Sequence, residues 1–222
     1  LMARLALGWN RPRQPILGMV LSGEVASVGP GVRSFAVGDH VFGLNRHRFG
    51  AYAQDVCWPG DGPLIRRPAN LTDEEAAAIP YGGPLALHYL RKGHVRAGHK
   101  VLVYGASGAV GTSAVQLARH LGVEVAAVCS TANVDLVASL GASTVLDYTV
   151  EDFTDQTARY DVILDAVGKR KSATALRRCR QALTSSGTFI SVDDGRPKLL
   201  RDDLVLLAEL SAKGEIRAVI DR

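Results

Sequence analysis

A glycine-rich heptapeptide is the segment whose residue types and spacing most directly indicate chemistry. It reads Gly105-Ala106-Ser107-Gly108-Ala109-Val110-Gly111, follows the apolar residues 101–104 and precedes a stretch with apolar side chains at helical spacing. A strand, a glycine turn and a helix in this order bind the pyrophosphate of a dinucleotide. The glycines permit a tight turn and a close approach of the backbone, and the helix N-terminus offers free N–H groups. We therefore predict that this loop binds the cofactor; the alternative is a glycine turn that binds nothing.

The residues that follow the next predicted strand indicate which dinucleotide binds. Enzymes that use NAD usually carry an Asp or Glu about 20 residues after the glycine loop, where it holds the ribose 2′-hydroxyl. Here the segment is Val128-Cys129-Ser130-Thr131-Ala132-Asn133, which has no carboxylate. Ser130, Thr131 and Asn133 can each donate a hydrogen bond to a 2′-phosphate, so we predict NADPH as the cofactor, with NADH as the alternative. The same residue types are also common N-caps of helices, which is their alternative role.

Composition and charge limit the classes of function. The 222 residues are 47% hydrophobic without a run of about 18 apolar residues, and residues 1–8 are too short and too interrupted by arginine for a signal peptide. The three cysteines form no Cys-x-x-Cys pair, which argues against a disulfide framework and a thiolate zinc site and favours a cytoplasmic protein. The net charge of +4 is dispersed and only 6% of the residues are aromatic, so we expect neither a nucleic-acid nor a membrane partner.

Two sequence patterns meet near residue 95. Before it, short β-like runs at residues 19–28 and 50–58 alternate with glycine turns, which predicts an antiparallel β unit. After it, strands and helices alternate with short crossovers, which predicts a parallel, doubly wound sheet with ligands at the carboxyl ends of its strands. The predicted strands of this second part are 100–104, 124–128, 144–147, 160–164, 188–192 and 216–220, and its predicted helices are 109–121, 134–140, 172–183 and 203–213.

A helix start is marked at Thr72. Thr72, followed three residues later by Glu75, has the pattern of a capping box, which predicts a helix directly after it. Pro80 and Pro84 lack the N–H that a helix interior needs. We therefore predict that this helix ends before Pro80 and that a second helix runs over residues 85–91.

Five further motifs occur in order along the chain, at residues 17–25, 28–29, 37–41, 50–53 and 76–80. Together with the glycine loop, they make the sequence resemble the medium-chain dehydrogenase/reductase superfamily, most closely its zinc-independent, quinone oxidoreductase-like branch. The resemblance implies an α/β fold, in which a partial GroES-like antiparallel β domain with connecting helices over residues 1–95 precedes a Rossmann doubly wound parallel sheet over residues 96–222. It also implies a homodimer. Relatives begin their GroES-like domain upstream of the residue that is Leu1 here, which predicts that the sequence is a fragment.

The resemblance also addresses whether a metal takes part. Metal-dependent members place a His-Glu pair directly after the glycine that is Gly18 here, and a cysteine ligand near the position of Tyr81. This chain has Met19, Val20 and Tyr81 at these places. A thioether, a valine and a phenol do not supply the ligands of a catalytic zinc, so no metal site is predicted. Members without zinc reduce activated C=C bonds or quinones with hydride from NADPH, while solvent or a side chain gives the proton.

Further site residues follow from the resemblance. Tyr148 is expected near the adenosine ribose-phosphate, although an ordinary tyrosine at the rim of the sheet is the alternative. The backbone at Val167 and Gly168 is expected beside the cofactor, and Val192 beside the nicotinamide carboxamide. The candidate catalytic residues, which form the part of the substrate-pocket wall present here, are Asn45, Tyr52 and Tyr81, with Met19 as a further wall residue.

The predicted function is therefore zinc-independent, NADPH-dependent transfer of hydride to a quinone or an α,β-unsaturated carbonyl. Two alternatives stay open at this point: an NAD(P)-dependent alcohol or carbonyl dehydrogenase, and a non-catalytic NADPH-binding redox sensor. Met19, Val20 and Tyr81 argue against zinc alcohol chemistry. An intact glycine loop is equally compatible with catalysis and with binding alone.

Overall fold

The structure is a computed structural model that describes residues 14–45, 49–151, 160–169, 180–198 and 200–220. A small antiparallel sheet precedes a larger parallel one, as the sequence patterns predict. The elements in chain order are β1 (Val20–Glu24), β2 (His40–Leu44), β3 (Leu64–Arg66), α1 (Asp73–Lys92), β4 (Lys100–Tyr104), α2 (Ala109–His120), β5 (Glu124–Cys129), α3 (Val134–Ser139), β6 (Thr144–Asp147), β7 (Tyr160–Asp165), β8 (Leu183–Ser191) and α4 (Arg201–Ala212).

The larger sheet has five parallel strands in the order β6-β5-β4-β7-β8. β4 is central because Val101, Leu102 and Val103 are apolar and fully buried, and a strand without a polar face needs cover on both sides. Val101 and Val103 belong to the large core that also contains residues of α1, α2 and α4, whereas Leu102 belongs to a smaller cluster. The strand order reverses between β4 and β7, and ligands of doubly wound sheets bind at the carboxyl ends of the strands at such a point.

The small sheet has the order β1-β2-β3, with both neighbours antiparallel. Val20 lies opposite Leu44, and Glu24 lies opposite His40. The strand predicted over residues 19–28 is therefore shorter than expected. It ends at Glu24. The Val25 N–H still donates to the Asp39 carbonyl at 2.9 Å, but the Val25 carbonyl accepts from the Gly38 N–H at 2.9 Å, one residue out of the strand register.

The strand predicted over residues 50–58 is wrong. The backbone bonds in this segment run only to a short stretch before β1: the Tyr52 N–H donates to the Leu17 carbonyl at 2.9 Å, and the Ala51 N–H donates to Gly18 at 3.2 Å. Most of the segment is exposed, so its apolar side chains have no buried sheet face to occupy.

α1 is a single helix of 20 residues, which confirms its predicted start and corrects its predicted interruption. The capping box is present: the Glu75 N–H donates to the Thr72 hydroxyl at 3.2 Å, and the Thr72 N–H donates to the Glu75 carboxylate at 2.9 Å. Pro80 and Pro84 lie inside the helix. Each proline removes one helical hydrogen bond, and packing of the surrounding turns offsets that cost.

Two glycines show how close this packing is. A Cβ atom on Gly82 would lie 2.0 Å from the carbonyl oxygen of Ala109, at the start of α2, and one on Gly83 would lie 2.6 Å from Leu207 of α4. Larger residues at these positions would push α1 away from both helices. Tertiary contacts of this kind keep the helix continuous through its prolines, and a sequence pattern does not reveal them.

The last predicted strand, over residues 216–220, is also wrong. The side-chain amide of the buried Gln116 instead binds this extended segment: its Nε2 donates to the Arg217 carbonyl at 3.1 Å, and its Oε1 accepts from the Arg217 N–H at 2.8 Å. The backbone of Arg217 is thus satisfied by one side chain of α2 and not by a neighbouring strand.

Smaller differences concern the ends of elements. β8 begins at Leu183, before the predicted residue 188, and ends at Ser191. Because β8 occupies residue 183, the end predicted for the helix over 172–183 is wrong; residues 172–179 of that helix lie outside the described residues. The other strands and helices predicted after residue 95 are present within one or two residues of their predicted ends.

Candidate active site

The glycine loop between β4 and α2 contains three glycines in different steric settings. Gly105 has a φ of +81°, which permits the tight turn. A Cβ atom on Gly111 would lie 2.1 Å from the Gly105 carbonyl oxygen, so this glycine permits close packing of helix on strand. A Cβ atom on Gly108 would meet only that same oxygen, at an ordinary 3.6 Å. Gly108 therefore leaves open space above the backbone, where a pyrophosphate approaches in dinucleotide-binding loops.

The helix that follows adds favourable electrostatics. Gly108 is the N-cap of α2, no side chain caps it, and the first turn contains no acidic residue. The first N–H groups of a helix have no intrahelical acceptors and carry a partial positive charge. The loop therefore fits an anionic pyrophosphate, both in space and in charge.

The residues after β5 lie at the neighbouring strand end. Ser130 precedes a 3-10 turn, and Asn133 precedes α3, so both occupy N-cap positions. Neither side chain makes a capping hydrogen bond. Asn133 instead donates from Nδ2 to the Ser130 hydroxyl at 3.0 Å. The geometry thus leaves these polar groups for a ligand, and it gives no support to their alternative role as helix caps.

Asp147, at the end of β6, accepts hydrogen bonds from the hydroxyl groups of Thr131 and Thr149. Thr149 donates its hydroxyl to Asp147 Oδ1 at 2.7 Å, and the Thr131 and Thr149 hydroxyl oxygens are also 2.7 Å apart. Hydrogen bonds from the Thr131 and Thr149 side chains hold the pKa of Asp147 below its usual value, so Asp147 is ionised at neutral pH. This network is not among the features predicted from the sequence. Its signal is the parallel pairing of β5 with β6, which places Cys129 beside Asp147.

A cleft of about 400 Å³ opens where β4, β7 and β8 end. It brings together four predicted cofactor residues and one predicted catalytic residue: Ala109, Val110, Val167, Val192 and Tyr81. The other lining residues are Leu85, Tyr89, Ala166, Asp193, Gly195 and Pro197. Most of the lining residues are apolar, while more of the cleft's exposed surface is polar than apolar, so a flat ring with polar substituents fits it.

Asp165 shapes one wall of this cleft. It is 1% exposed, and its Oδ1 accepts hydrogen bonds from the Val167 and Gly168 N–H groups, both at 3.1 Å. Its Oδ2 accepts from the Ser191 hydroxyl at 2.9 Å. One buried carboxylate therefore ties the loop after β7 to the end of β8 and presents Val167 at the cleft.

Val192 has less freedom to bind a ligand than the sequence analysis expects. Its N–H donates to the Asp165 carbonyl at 3.0 Å, and its carbonyl accepts from the Tyr89 hydroxyl at 2.5 Å. Only the second lone pair of that carbonyl remains for a carboxamide.

Tyr89 and Leu85 were missed because α1 was divided at Pro84. In a continuous helix, residues four positions apart share a face, so Tyr81, Leu85 and Tyr89 form one stripe along α1. All three line the cleft. The signal was therefore present in the sequence, at the spacing of an unbroken helix.

The rim of the cleft after β8 is fixed by charges. Lys169 forms an ion pair with Asp194, and Lys92 donates to the Asp194 carbonyl at 2.7 Å. The Lys169 N–H also donates to Asp193 at 2.7 Å. Burial raises the pKa of Asp194, but the hydrogen bonds from Lys169 and Ser191 and the two lysine charges outweigh it, so the pKa is lowered.

The remaining predicted wall residues lie elsewhere. Asn45, at the end of β2, is buried, and its N–H donates to the Met19 carbonyl at 2.7 Å. Tyr52 is 77% exposed and packs against Gly18, whose added Cβ would lie 2.5 Å from the tyrosine ring. The lining of the cleft includes neither Asn45 nor Tyr52. Tyr148, expected near the adenosine, is half exposed directly after β6.

The donor set for a metal is poor in the residues that the structure describes, where no group of three His, Cys, Asp or Glu side chains could hold an ion. Cys57 is exposed and Cys129 is buried. Burial, and next the nearby Asp147, raise the pKa of the Cys129 thiol, which disfavours the thiolate that binds metals. A zinc ion therefore does not fit the side chains described.

Among the residues that the structure describes, no helix is long and apolar enough to cross a membrane.

Comparison with known proteins gives consistent matches. Residues 109–218 match the family described as zinc-binding dehydrogenase. The chain is 34% identical over 173 residues to the 2-methylene-furan-3-one reductase of Solanum lycopersicum, a match covering 74% of this chain and 44% of that protein. It is 32% identical over 168 residues to the chloroplastic NADPH-dependent alkenal/one oxidoreductase of Arabidopsis thaliana, covering 72% and 43%. The chain thus spans less than half the length of these two curated relatives.

A solved structure extends the similarity to the whole described fold. The quinone oxidoreductase from Coxiella burnetii superposes with a TM-score of 0.85 at 26% identity, covering 100% of this chain and 74% of that chain. Its match includes both the small antiparallel sheet and the parallel sheet.

Proposed function

Because the chain belongs to the zinc-binding dehydrogenase family of the medium-chain dehydrogenase/reductases, we propose that it is part of an NADPH-dependent oxidoreductase that transfers hydride to a quinone or an α,β-unsaturated carbonyl without zinc. One observation carries the proposal: the glycine loop opens onto a cleft of about 400 Å³, lined by Val110 and Val167, that holds a single predicted catalytic side chain, Tyr81. The names of the relatives support the substrate class, since they describe reduction of an enone, of alkenals and of quinones.

Different residues of the chain bind the cofactor and line the place where the substrate reacts. The loop around Gly108 and the N-terminus of α2 bind the pyrophosphate. Val110 and Val167 line the cleft with apolar surface, which excludes water from the reacting carbon. A reduced nicotinamide bound there supplies the hydride.

Tyr81 is the group suited to the proton. Tyr81 is 47% exposed on α1 at the cleft, so its phenol is accessible to a bound substrate. Reduction of an enone leaves negative charge on oxygen, and a phenol can donate a hydrogen bond to that charge and a proton to the product. Tyr81 would thus take the place of a zinc ion as the group that stabilises the charge on oxygen, since Met19 and Val20 cannot bind zinc.

The preference for NADPH over NADH rests on the turn after β5. Ser130 and Asn133 place polar hydrogen-bonding groups there, and residues 130–133 contain no carboxylate to repel a 2′-phosphate. We expect tighter binding of NADPH, with NADH accepted more weakly.

The organisation of the whole protein is proposed on the same family relation. We propose a catalytic domain that includes residues 1–95, a dinucleotide-binding domain over residues 96–222, and a cytoplasmic homodimer. The small sheet precedes α1 and the parallel sheet follows it, which supports a boundary near residue 95. Gel filtration with light scattering tests the dimer.

The function is tested by titrating the full protein that contains this chain with NADPH and with NADH, and then measuring cofactor oxidation with a simple enone and a simple quinone. Each assay is run with and without a metal chelator. Chelator-insensitive oxidation of NADPH by either acceptor is the expected result. Loss of turnover with chelator would contradict the zinc-free mechanism, and tight binding without turnover on any enone or quinone would favour a redox sensor.

A further inference from the structure

We propose that Asp147 fixes the direction of the hydroxyl protons at the cofactor ribose, so that Ser130 is the donor for a 2′-phosphate and Thr131 is an acceptor for a 2′-hydroxyl. The inference rests on the proposed function, since it concerns the same dinucleotide. It assigns opposite roles to two neighbouring residues that the sequence analysis treats as equivalent donors.

The first step is a count of protons. An ionised Asp147 can only accept hydrogen bonds, so the single hydroxyl proton of Thr149 is used in its 2.7 Å bond to Asp147 Oδ1. Thr149 then has no proton left for its 2.7 Å contact with Thr131, so the Thr131 hydroxyl donates inward, to Thr149 or to Asp147 itself. The Thr149 N–H, which also donates to Asp147 Oδ1 at 2.9 Å, fixes this arrangement further.

The second step follows for Thr131. Its only hydroxyl proton points inward, toward Thr149 and Asp147, while the residue itself is exposed. Its oxygen therefore offers lone pairs alone to a ligand. A ribose 2′-hydroxyl can donate to such an oxygen, whereas a 2′-phosphate dianion offers only acceptor atoms.

Ser130 has the opposite polarity. Its oxygen accepts a hydrogen bond from Asn133 at 3.0 Å, and within the described ranges its own proton has no acceptor. That proton can be donated to a phosphate oxygen, and a donor to an ionised acceptor forms a stronger bond than a neutral pair. Asn133 is a positioning residue here, since it orients the hydroxyl without needing to touch the phosphate.

The experiment measures the dissociation constants of NADPH and NADH for the full protein and its variants by calorimetry. Ser130→Ala should weaken NADPH roughly tenfold, while NADH changes much less. Thr131→Val should weaken NADH roughly fivefold and leave NADPH unchanged within about twofold. Thr131→Ser, which keeps the hydroxyl, should restore NADH binding. A purely structural role would weaken both cofactors together.

Asp147 itself is tested by the ratio of the two constants. Asp147→Ala removes the acceptor of the Thr149 proton, so Thr149 can donate to Thr131 and the Thr131 proton becomes available to a ligand. NADPH should then bind more tightly relative to NADH. Thr149→Val is the matched control, because it removes a hydroxyl of the network but leaves Asp147 to take the Thr131 proton, and the ratio should stay close to that of the unmodified protein. Thermal unfolding of each variant checks that it is folded.

Two results would overturn the assignment. If Thr131→Val weakens NADPH as much as Ser130→Ala does, both residues are donors and the proton count is wrong. If both variants shift the two cofactors in parallel, the turn does not discriminate between them. Either result leaves the proposed function standing, whereas failure of the unmodified protein to bind any dinucleotide overturns the function together with this inference.

Discussion

At the scale of single residues, the glycines of the 105–111 loop have the same chemistry and different surroundings. Gly105 needs its positive φ, Gly111 has no room for a Cβ atom, and Gly108 has such room. A side chain at Gly108 is therefore compatible with the fold but occupies the place of a ligand. This difference separates binding from stability in one short segment.

The first prediction uses this separation. Gly108→Leu should reduce NADPH affinity by at least roughly a hundredfold while the melting temperature changes little, because the new side chain fills the space for the pyrophosphate. Gly29→Leu is the matched control, since a Cβ atom there would likewise clash with nothing and Gly29 lies between β1 and β2 of the other sheet. NADPH affinity is measured by titration calorimetry. Unchanged affinity in Gly108→Leu would show that the loop is not a phosphate cradle.

A substitution at Gly111 should change stability where one at Gly108 changes binding. Gly111→Ala should lower stability by more than about 1 kcal/mol, because its Cβ atom would lie 2.1 Å from a backbone carbonyl and helix and strand would have to separate. Urea unfolding measures the effect. A stable Gly111→Ala protein would mean that α2 can shift without cost, which the buried contacts around Ala106 and Ala114 argue against.

At the scale of elements, α1 connects the small sheet to the cleft. Its N-terminus is fixed by the capping box, its middle packs on α2 and α4 through Gly82 and Gly83, and one of its faces places Tyr81 at the cleft. The helix is thus more than a linker: it sets the distance between a predicted catalytic phenol and the glycine loop. A substitution at the N-terminus of α1 should therefore lower the free energy of unfolding without changing cofactor binding at the cleft.

A capping variant tests this point. Thr72→Ala removes the acceptor of the Glu75 N–H and should cost about 1 kcal/mol of unfolding free energy, while Thr72→Ser should restore most of it. NADPH affinity should stay unchanged in both variants, because Thr72 lies at the opposite end of α1 from Tyr89 and the cleft. Unfolding in urea provides the free energies. Equal stability of Thr72→Ala and the unmodified protein would contradict the role of the box.

At the scale of the whole molecule, charges join loops that follow different strands. Lys169 follows β7, Asp194 follows β8, and Lys92 ends α1. Asp194 joins these three parts of the cleft rim, because its carboxylate pairs with Lys169 and its backbone carbonyl accepts from Lys92. The pKa of Asp194 is lowered in the folded state from its ordinary value of 3.8. A lowered folded pKa means that the stabilisation is present above pH 3.8 and is lost as the pH falls through the lower value.

This sign leads to a pH-dependent prediction. Lys169→Met should reduce unfolding free energy at pH 7 by up to about 1 kcal/mol, since the pair is partly exposed, and the difference should shrink as the pH falls below the ordinary carboxyl range and Asp194 becomes protonated. Lys100→Met is the matched control, because Lys100 pairs with Glu124 at 3.3 Å and both side chains are about half exposed. We expect Lys100→Met to lose less unfolding free energy than Lys169→Met. A pH-independent loss in Lys169→Met would exclude the Asp194 pair as its cause.

Much of the molecule could be predicted from the sequence, because it depends on local patterns. The glycine loop, the alternation of strands and helices after residue 95 and the Thr72 capping box each need only a few consecutive residues. The structure has the loop and the box, and among the described residues it has the alternation up to α4 but not the last predicted strand. The family relation follows from the same motifs. Periodicity and turn chemistry are local properties, so the order of elements could be predicted along the chain.

The tertiary structure decided what depends on distant contacts. It kept α1 continuous through Pro80 and Pro84, because α2 and α4 pack against it, and it satisfied Arg217 with the side chain of Gln116 where a strand was predicted. It also turned the Thr131 proton toward Asp147, a residue that β-strand pairing brings close. The sequence by itself determined which groups are present and in which elements they lie. Only the folded chain decided which of them meet and which way their hydrogen bonds point, because those properties depend on residues far apart in the chain.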